Sequence, residues 1–242
     1  MTWWVTPALA PVFGSLDRVF ELDGPRVAVG SMGDVIYVEH EGEGYYVKRY
    51  VRAGGHANDW IGSPRVQREW RNLARFAAWG LNVPEVVARG YARRHGRFRR
   101  GALITRAIAH SADLATLARQ GDARLRERRW RATVSDQVAD ALATLHRHGF
   151  CHGDMKWRNL LVTEGPVPRL FLIDCPAGQH WFGPFLRYRR VKDLACLDKV
   201  ARHQLSRAAR LRFYSRYRNI ATLGVAEKRE LRKVLAFFQG RD

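Results

Sequence analysis

One segment of the sequence combines the side chains that phosphoryl transfer requires. Residues 152–159 are His-Gly-Asp-Met-Lys-Trp-Arg-Asn. Transfer of a phosphoryl group needs a carboxylate that orients the acceptor hydroxyl, with an oxygen ligand for magnesium nearby. Asp154 and Asn159 supply both from one loop, and Lys156 can reach the transferred phosphate as a point charge. We therefore predict Asp154 and Lys156 as catalytic residues and Asn159 as a magnesium ligand.

A second carboxylate, Asp174, follows at the end of an apolar run. It ends the sequence Leu-Phe-Leu-Ile-Asp, fifteen residues after Asn159. An aspartate at a strand end beside the first loop is well placed to chelate a metal ion. By itself the same residue would fit an ordinary turn. Together with the loop at 152–159 it predicts a magnesium site at Asn159 and Asp174, through which both residues would contact ATP.

Residues further upstream are suited to holding a nucleotide. Lys48 lies in the strand-like run YYVKRY, and Glu69 lies 21 residues later in a helical pattern. A strand lysine held by a helix glutamate can bind the α- and β-phosphates of ATP. Gly30 and Gly33 come before them, and their backbone amides could cover the phosphates, although such a glycine pair is also common in turns. We predict that these four residues contact ATP.

Hydrophobic periodicity predicts the elements that position these residues. In the first part of the chain it predicts one helix over 65–80, a loop over 51–64, and strands at 26–38, 45–51, 85–94 and 98–105. After about residue 110 the spacing is helical, with short strand-like runs beside the loops of Asp154 and Asp174. The pattern predicts an α+β fold in a single domain. Its two lobes are a small β-rich N-lobe with one helix over 1–108 and a mainly helical C-lobe over 109–242.

The composition restricts the class of protein and the class of partner. The chain has 242 residues, 46% of them hydrophobic, so it can bury a core and is not a disordered protein. Its 42 Lys and Arg against 23 Asp and Glu give a net charge of +19, which predicts an anionic partner. No zinc-finger or RNA-binding signature accompanies the charge, so we expect no nucleic acid partner. Three cysteines without a CxxC pair, and no apolar run approaching about 20 residues, indicate a cytoplasmic protein.

The order of these motifs resembles that of the protein-kinase-like superfamily. Within it, HGDMKWRNLLV, LIDCPAG and the following KDLA at 192–195 are similar to the bacterial lipopolysaccharide kinases (the InaA/WaaP/Kdo-kinase group). The resemblance covers about residues 25–215. It implies a protein-kinase-like fold and an ATP- and Mg²⁺-dependent kinase. The acceptor would be a sugar hydroxyl (heptose or Kdo) of the lipopolysaccharide inner core, at the cytoplasmic side of the inner membrane.

The resemblance also implies roles for individual residues. Asp154 would be the catalytic base, and Asp193 would be a buried anchor of the catalytic loop. Residues 106–108 would form the adenine hinge, and Asp113 would meet the ribose. Cys-Pro follows Asp174 where protein kinases have Phe-Gly, so we expect no activation switch of that kind.

The segment after Asp174 is expected to face the acceptor in such a fold. Arg187, Arg189 and Arg190 would then bind an anionic glycolipid substrate, the lipopolysaccharide core. The aromatic residues of QHWFGPFL at 179–186 could stack on sugar rings, face lipid or belong to the core. The basic helices predicted at 199–218 and 227–235 should pack through one face, with peripheral contact to the anionic inner membrane as a secondary effect.

Two alternatives remain open at the level of sequence. Aminoglycoside phosphotransferases also use HGDxxxxN, but the arginines after Asp174 argue against a cationic substrate. Two features favour a pseudokinase adaptor of the same fold. Cys175-Pro176 follows Asp174, and Ala28 stands where a first loop glycine is expected. The intact Lys48, Asp154 and Asn159 argue against it.

Overall fold

The computed structural model describes residues 1–30, 32–51 and 63–240. It divides into two compact units. The sheet unit comprises Met1–Arg75 and Val83–Ala109, and the helical unit comprises Phe76–Asn82 and His110–Asp242. The loop predicted at 51–64 lies almost entirely outside the described residues.

An antiparallel sheet is the main feature of the sheet unit. Among the described residues its strands are β1 (Thr2–Val5), β2 (Arg26–Gly30), β3 (Gly33–His40), β4 (Glu43–Val51), β5 (Val86–Arg94) and β6 (Arg97–Arg106). Their spatial order is β1-β5-β6-β4-β3-β2. The two long hairpins, β3–β4 and β5–β6, meet where β4 pairs with β6, and this register places Lys48 opposite Leu103.

Helices pack on both faces of this sheet. The helices of the sheet unit are α1 (Ala10–Phe13), α2 (Leu16–Glu21) and α3 (Arg65–Ala78), whose last residues belong to the helical unit. Phe13 and Leu16 pack with Val47 in one buried cluster. Trp70 of α3 packs with Tyr50 in a second. Because successive strand residues point to opposite faces, Lys48 lies on the same face as Tyr50, towards α3.

Two predictions for this part of the chain were wrong. The strand predicted at 26–38 is two strands, β2 and β3, which pair antiparallel with Gly30 opposite Gly33. Gly33 has φ 142°, and a Cβ atom there would collide with the carbonyl oxygen of Arg49, so the turn depends on a glycine. In addition, β1, α1 and α2 were not predicted.

The helical unit is built around one long helix. Its helices are α4 (Leu114–Gln120), α5 (Arg128–Arg147), α6 (Gly183–Gln204), α7 (Arg207–Arg218) and α8 (Val225–Ala236). Short strands accompany them: β7 (Ser111–Asp113), β8 (Phe150–Cys151), β9 (Leu160–Thr163), β10 (Leu170–Leu172) and β11 (Gln179–His180). The buried residues of α5 recur with helical spacing from Trp130 through Val134 and Val138 to Leu145, as the sequence pattern predicts.

The arginines of α7 are largely neutralised by neighbouring acids. Arg210 pairs with Asp198, while Arg212 and Arg216 reach acidic residues of α5. Tyr214 and Tyr217 of the same helix are buried. This helix therefore packs through one face, as expected. None of the helices in the described ranges combines the length and the apolar character that crossing a bilayer requires.

Candidate active site

The loop between β8 and β9 carries the predicted catalytic residues. Its side chains alternate between the interior and the solvent. Met155 and Trp157 are buried, and the indole Nε1 of Trp157 donates a hydrogen bond to the carbonyl oxygen of Leu197 at 3.1 Å. Lys156 and the other charged residues of the loop lie between these anchors and remain accessible. The apolar side chains thus fix the loop while the charged ones are presented outward.

Asp154 is surrounded by cations. Lys156 Nζ lies 2.6 Å from Asp154 Oδ1, and a guanidinium nitrogen of Arg158 lies 3.0 Å from Oδ2. Burial acts to raise the pKa of Asp154, but the hydrogen bonds and charges of Lys156 and Arg158 outweigh it and hold that pKa below its ordinary value. The carboxylate is therefore ionised at neutral pH, as an acceptor of the hydroxyl proton must be.

Asn159 and Asp174 lie on chain segments that are hydrogen-bonded to each other. The buried Asn159 directs its amide nitrogen to the carbonyl oxygen of Asp154 at 2.8 Å. The backbone N–H of Ile173 donates to the carbonyl oxygen of Asn159 at 3.0 Å, which brings the residue before Asp174 beside it. Asp174 has φ 54°, an uncommon conformation for a residue with a side chain and one that is frequent at functional sites. One amide and one carboxylate oxygen form a donor set that fits Mg²⁺.

Asp193 of α6 fixes the start of the catalytic loop through hydrogen bonds to its backbone. This carboxylate is completely buried. It accepts hydrogen bonds from the backbone N–H groups of His152 at 2.8 Å and Gly153 at 2.9 Å. Both bonds are charge-assisted, and the full burial of their acceptor strengthens them. The position of Asp154 is therefore set by α6.

A histidine and a tyrosine extend this anchor, and sequence reasoning missed both. His146 Nε2 lies 3.4 Å from Asp193, and His146 Nδ1 lies 2.8 Å from the hydroxyl oxygen of Tyr217. All three side chains are buried. Tyr217 lies 71 residues after His146 on α7, so no local pattern relates them. The result is a hydrogen-bonded chain from α7 through the end of α5 to Asp193.

His152 has a packing role rather than a charged one. Its ring is fully buried and stacks against Phe76, with the ring centroids 6.2 Å apart. Neither ring nitrogen finds a hydrogen-bond partner among the described residues. Burial lowers the pKa of His152 and overcomes the opposing charges of nearby aspartates. The imidazole is therefore neutral and supports the loop by contact.

In the sheet unit, Lys48 and Glu69 form a bidentate ion pair. Lys48 Nζ lies 3.0 Å from each carboxylate oxygen of Glu69. Glu69 is buried, and the hydroxyl of Tyr50 also donates a hydrogen bond to it. Tyr50 was not singled out from the sequence, although its position two residues after Lys48 places it on the same strand face. The pair fixes the position of the ammonium group of Lys48.

The two predicted loop glycines lie at the end of the β2–β3 hairpin. Ser31, between them, lies outside the described residues. Asp34 follows Gly33 and receives two hydrogen bonds from Arg49, with Nε 2.9 Å from Oδ1. The hydrogen bond from Arg49 is the main cause of the lowered pKa of Asp34, together with the charge of Arg49 and against the effect of burial. This ion pair holds the glycine end of the hairpin to β4.

The residues expected to contact adenine and ribose make hydrogen bonds within the chain. The N–H of Arg106 donates to the carbonyl oxygen of Glu85 at 2.9 Å, and that of Ala107 donates to Gly44 at 2.8 Å. These two hinge amides are therefore engaged within the sheet unit. Asp113 caps α4 through Thr116, whose backbone N–H lies 2.9 Å away. Its carboxylate stabilises a helix start, and the contact of Asp113 with the ribose stays a prediction.

The three arginines predicted to bind the acceptor have different surroundings in α6. The helix begins at Gly183, earlier than the helical pattern indicated, so all three lie within it. Arg190 donates to the carbonyl oxygen of His146 and so supports the end of α5. Arg189 lies over the ring of Trp181, 4.4 Å from its centroid, and Arg187 is exposed.

The family model for "Lipopolysaccharide kinase (Kdo/WaaP) family" matches residues 16–217. The chain belongs to this family. The solved structure of WaaP in complex with acyl carrier protein aligns with 100% of this chain and 98% of its own, at 25% identity and a TM-score of 0.74. A double mutant of the Mycobacterium tuberculosis PknI kinase domain aligns over 74% of this chain and 70% of its own, at 20% identity and a TM-score of 0.44. No curated protein matches the chain significantly. The match to this family and the similarity to the WaaP structure confirm the α+β, kinase-like fold predicted from the sequence.

Proposed function

We propose that this kinase transfers the γ-phosphate of ATP, with Mg²⁺, to a heptose or Kdo hydroxyl of the lipopolysaccharide inner core at the cytoplasmic side of the inner membrane. The observation that carries this proposal is the catalytic loop of a chain in the lipopolysaccharide kinase family. Asp193 fixes its backbone, and Asp154 is held ionised beside Asn159. Such an arrangement suits phosphoryl transfer, in which positioning and charge supply most of the catalysis.

Each residue has a defined task in the proposed reaction. Lys48, oriented by Glu69, binds the α- and β-phosphates of ATP. Asn159 and Asp174 would hold Mg²⁺, which when bound neutralises charge on the phosphate oxygens. Asp154 accepts the proton of the sugar hydroxyl while the hydroxyl oxygen forms a bond to the γ-phosphorus. The bond between that phosphorus and the ADP oxygen breaks. Lys156 then turns from Asp154 to the transferred phosphoryl group.

Arginine side chains without ion-pair partners in the described helical unit favour an anionic acceptor. Neither Arg187 nor Arg189 forms an ion pair with any residue in the described ranges, whereas Arg210, Arg212 and Arg216 of α7 are paired. A cationic aminoglycoside would be repelled by such a surface, which argues against that alternative. A pseudokinase would not need the ionised Asp154 or the fixed Lys48–Glu69 pair.

An acceptor panel tests this function. The protein is incubated with labelled ATP and Mg²⁺ and with one of three acceptors: dephosphorylated lipopolysaccharide core, an aminoglycoside, or a generic protein. We expect label in the core sugar alone, and none when Mg²⁺ is chelated. Label in the aminoglycoside or the protein instead would overturn the proposed acceptor. Nucleotide binding without transfer to any acceptor would favour the pseudokinase.

We also propose acyl carrier protein as a partner, because the WaaP of the solved complex binds one. A cavity of about 620 Å³ in the helical unit supports the idea, since leucine, valine and tryptophan side chains form most of its wall. An alkyl chain attached to the carrier would fit such a wall. Thermal unfolding with acylated and acyl-free carrier protein tests this, with Ala201→Phe to fill the cavity. Stabilisation by the acylated form alone, lost in the variant, is expected; equal effects of both forms would contradict it.

A further inference from the structure

An aromatic ridge stands out on the surface of the helical unit. It consists of Trp181, Phe182, Phe185, Arg187, Tyr188 and Arg189. The exposed fraction is 80% for Phe182, 67% for Phe185 and 49% for Tyr188. Large apolar side chains grouped at this exposure are uncommon on soluble proteins and mark interaction sites.

The stability of α6 does not explain these residues. Phe182 occupies the N-cap position, where it makes no capping hydrogen bond, and the first turn contains no acidic residue. Serine, threonine or aspartate at that position would stabilise the helix start. The stability of the helix start therefore does not account for the exposed phenylalanine.

Every charged side chain of the aromatic ridge is positive. Residues 175–192 contain no aspartate or glutamate, and in the described parts of the chain no ion pair involves Arg187 or Arg189. The arginines of α7 differ, since Arg212 and Arg216 lie 2.6 Å from Asp136 and Asp140 respectively. Positive charge without an ion-pair partner among the described residues therefore lies beside the exposed rings.

The ridge is also held in a fixed shape beside the catalytic loop. The N–H of Trp181 donates to the carbonyl oxygen of Gly149 at 2.9 Å, and His180 of β11 pairs with Phe150 of β8. Arg189 lies over Trp181, and the ring of Tyr188 contacts that of Phe237 with centroids 5.5 Å apart. The strand that leads into the loop of Asp154 thus also anchors the ridge.

We propose that the aromatic ridge docks on the surface of an anionic lipid bilayer. Aromatic rings favour the interfacial region, where one side is apolar and the other hydrated. Arginines beside them meet lipid phosphates. Exposed rings and cations without ion-pair partners in the described chain together match the apolar and the anionic parts of a bilayer surface. The docking itself does not depend on the proposed function. Its purpose, to bring Asp154 to a membrane-borne acceptor, rests on that function.

Vesicle flotation without ATP or acceptor tests the docking separately from catalysis. The full chain is mixed with vesicles of phosphatidylethanolamine and phosphatidylglycerol, or with vesicles of phosphatidylcholine alone. We expect binding to the anionic vesicles only. Phe182→Ser with Phe185→Ser should weaken it about tenfold or more. Arg187→Ala with Arg189→Ala should weaken it about 30-fold, the effect of two arginines at an anionic surface.

Matched controls locate the effect on the surface. Val167→Ser with Val225→Ser removes two exposed apolar side chains elsewhere in the helical unit, and Arg212→Ala with Arg216→Ala removes the same charge from α7. Both controls should bind as the wild type does. Equal loss in controls and ridge variants would overturn the proposal, as would unchanged binding in the ridge variants. So would ridge variants that lose self-association or a protein partner while vesicle binding is unaffected. If docking persists in a chain that transfers no phosphate, only the proposed function fails.

Discussion

Replacing Asp193 with asparagine tests how the catalytic loop is positioned. The carboxylate is fully buried and accepts two charge-assisted hydrogen bonds, from the N–H groups of His152 and Gly153. An amide in its place keeps one acceptor and turns its own N–H₂ group towards the second donor. Hydrogen bonds to charged groups contribute about 1.5–3 kcal/mol each, so Asp193→Asn should cost about 3 kcal/mol or more.

The loss should appear in both stability and turnover. For a chain of this length, 1 kcal/mol corresponds to roughly 2–4 °C in Tm, so we expect a decrease of about 6–12 °C by calorimetry. Because Asp154 follows Gly153 directly, kcat should fall about tenfold or more, since misplacing a catalytic group by about 1 Å costs that much. KM for ATP should change little, because Lys48 and Glu69 are untouched.

Asp198→Asn is the matched control. It lies on the same helix and pairs with Arg210 at 2.6 Å in a partly exposed ion pair. Such a pair contributes about 0–1 kcal/mol, so Tm should fall by about 4 °C at most and kcat should not change. If Asp193→Asn unfolds at the temperature of Asp198→Asn and retains its kcat, the anchoring role of Asp193 is refuted.

Three further outcomes are expected. Glu69→Gln should raise KM for ATP about tenfold or more and also lower Tm, because Lys48 loses a charge-assisted pair with a buried carboxylate; an unchanged KM would show that the pair does not orient the lysine. His152→Phe should flatten the loss of stability between about pH 7 and 5. Burial holds the pKa of His152 below its ordinary 6.5, so only the unfolded chain takes up this proton as the pH falls, and wild-type stability is lost in that range; equal slopes in denaturant titrations would contradict this. Tyr217→Phe should lower kcat several-fold at constant KM, with His146→Asn behaving alike and the double variant no worse than either; additive losses would show that the two do not act through one chain.

The catalytic loop was predictable because its chemistry is contiguous in sequence. Asp154, Lys156 and Asn159 lie within six residues, and the alternation with Met155 and Trp157 decides which side chains are accessible. The same holds for the helical spacing of α5. Local spacing is enough when one element carries the whole signal. The catalytic and binding roles of these residues remain predictions.

The chain of contacts that supports the loop was not predictable in full. The resemblance implied Asp193 as an anchor, but nothing local indicated His146 or Tyr217 beyond it. His152 lies 41 residues before Asp193, and His146 lies 71 before Tyr217. Such contacts depend on how α5, α6 and α7 pack against one another. The periodicity of a single helix does not predict that packing.

Two prolines and a glycine explain the missed elements. Pro184 follows Gly183 in the first turn of α6, where proline is favourable, so this helix begins before the helices that the sequence predicts. Pro11 likewise lies in the first turn of α1. The strand predicted at 26–38 alternates well on both sides of Gly33, so only the positive φ of that glycine reveals the hairpin.

The central claim, that Asp154 carries the chemistry, is tested most directly by Asp154→Ala with labelled ATP, Mg²⁺ and dephosphorylated lipopolysaccharide core. Nucleotide binding and Tm are measured on the same sample, so that loss of chemistry is separated from loss of fold. We expect a folded protein that binds ATP while label transfer to the core sugar falls about 100-fold or more. Transfer at the wild-type rate in a folded Asp154→Ala protein would contradict the account.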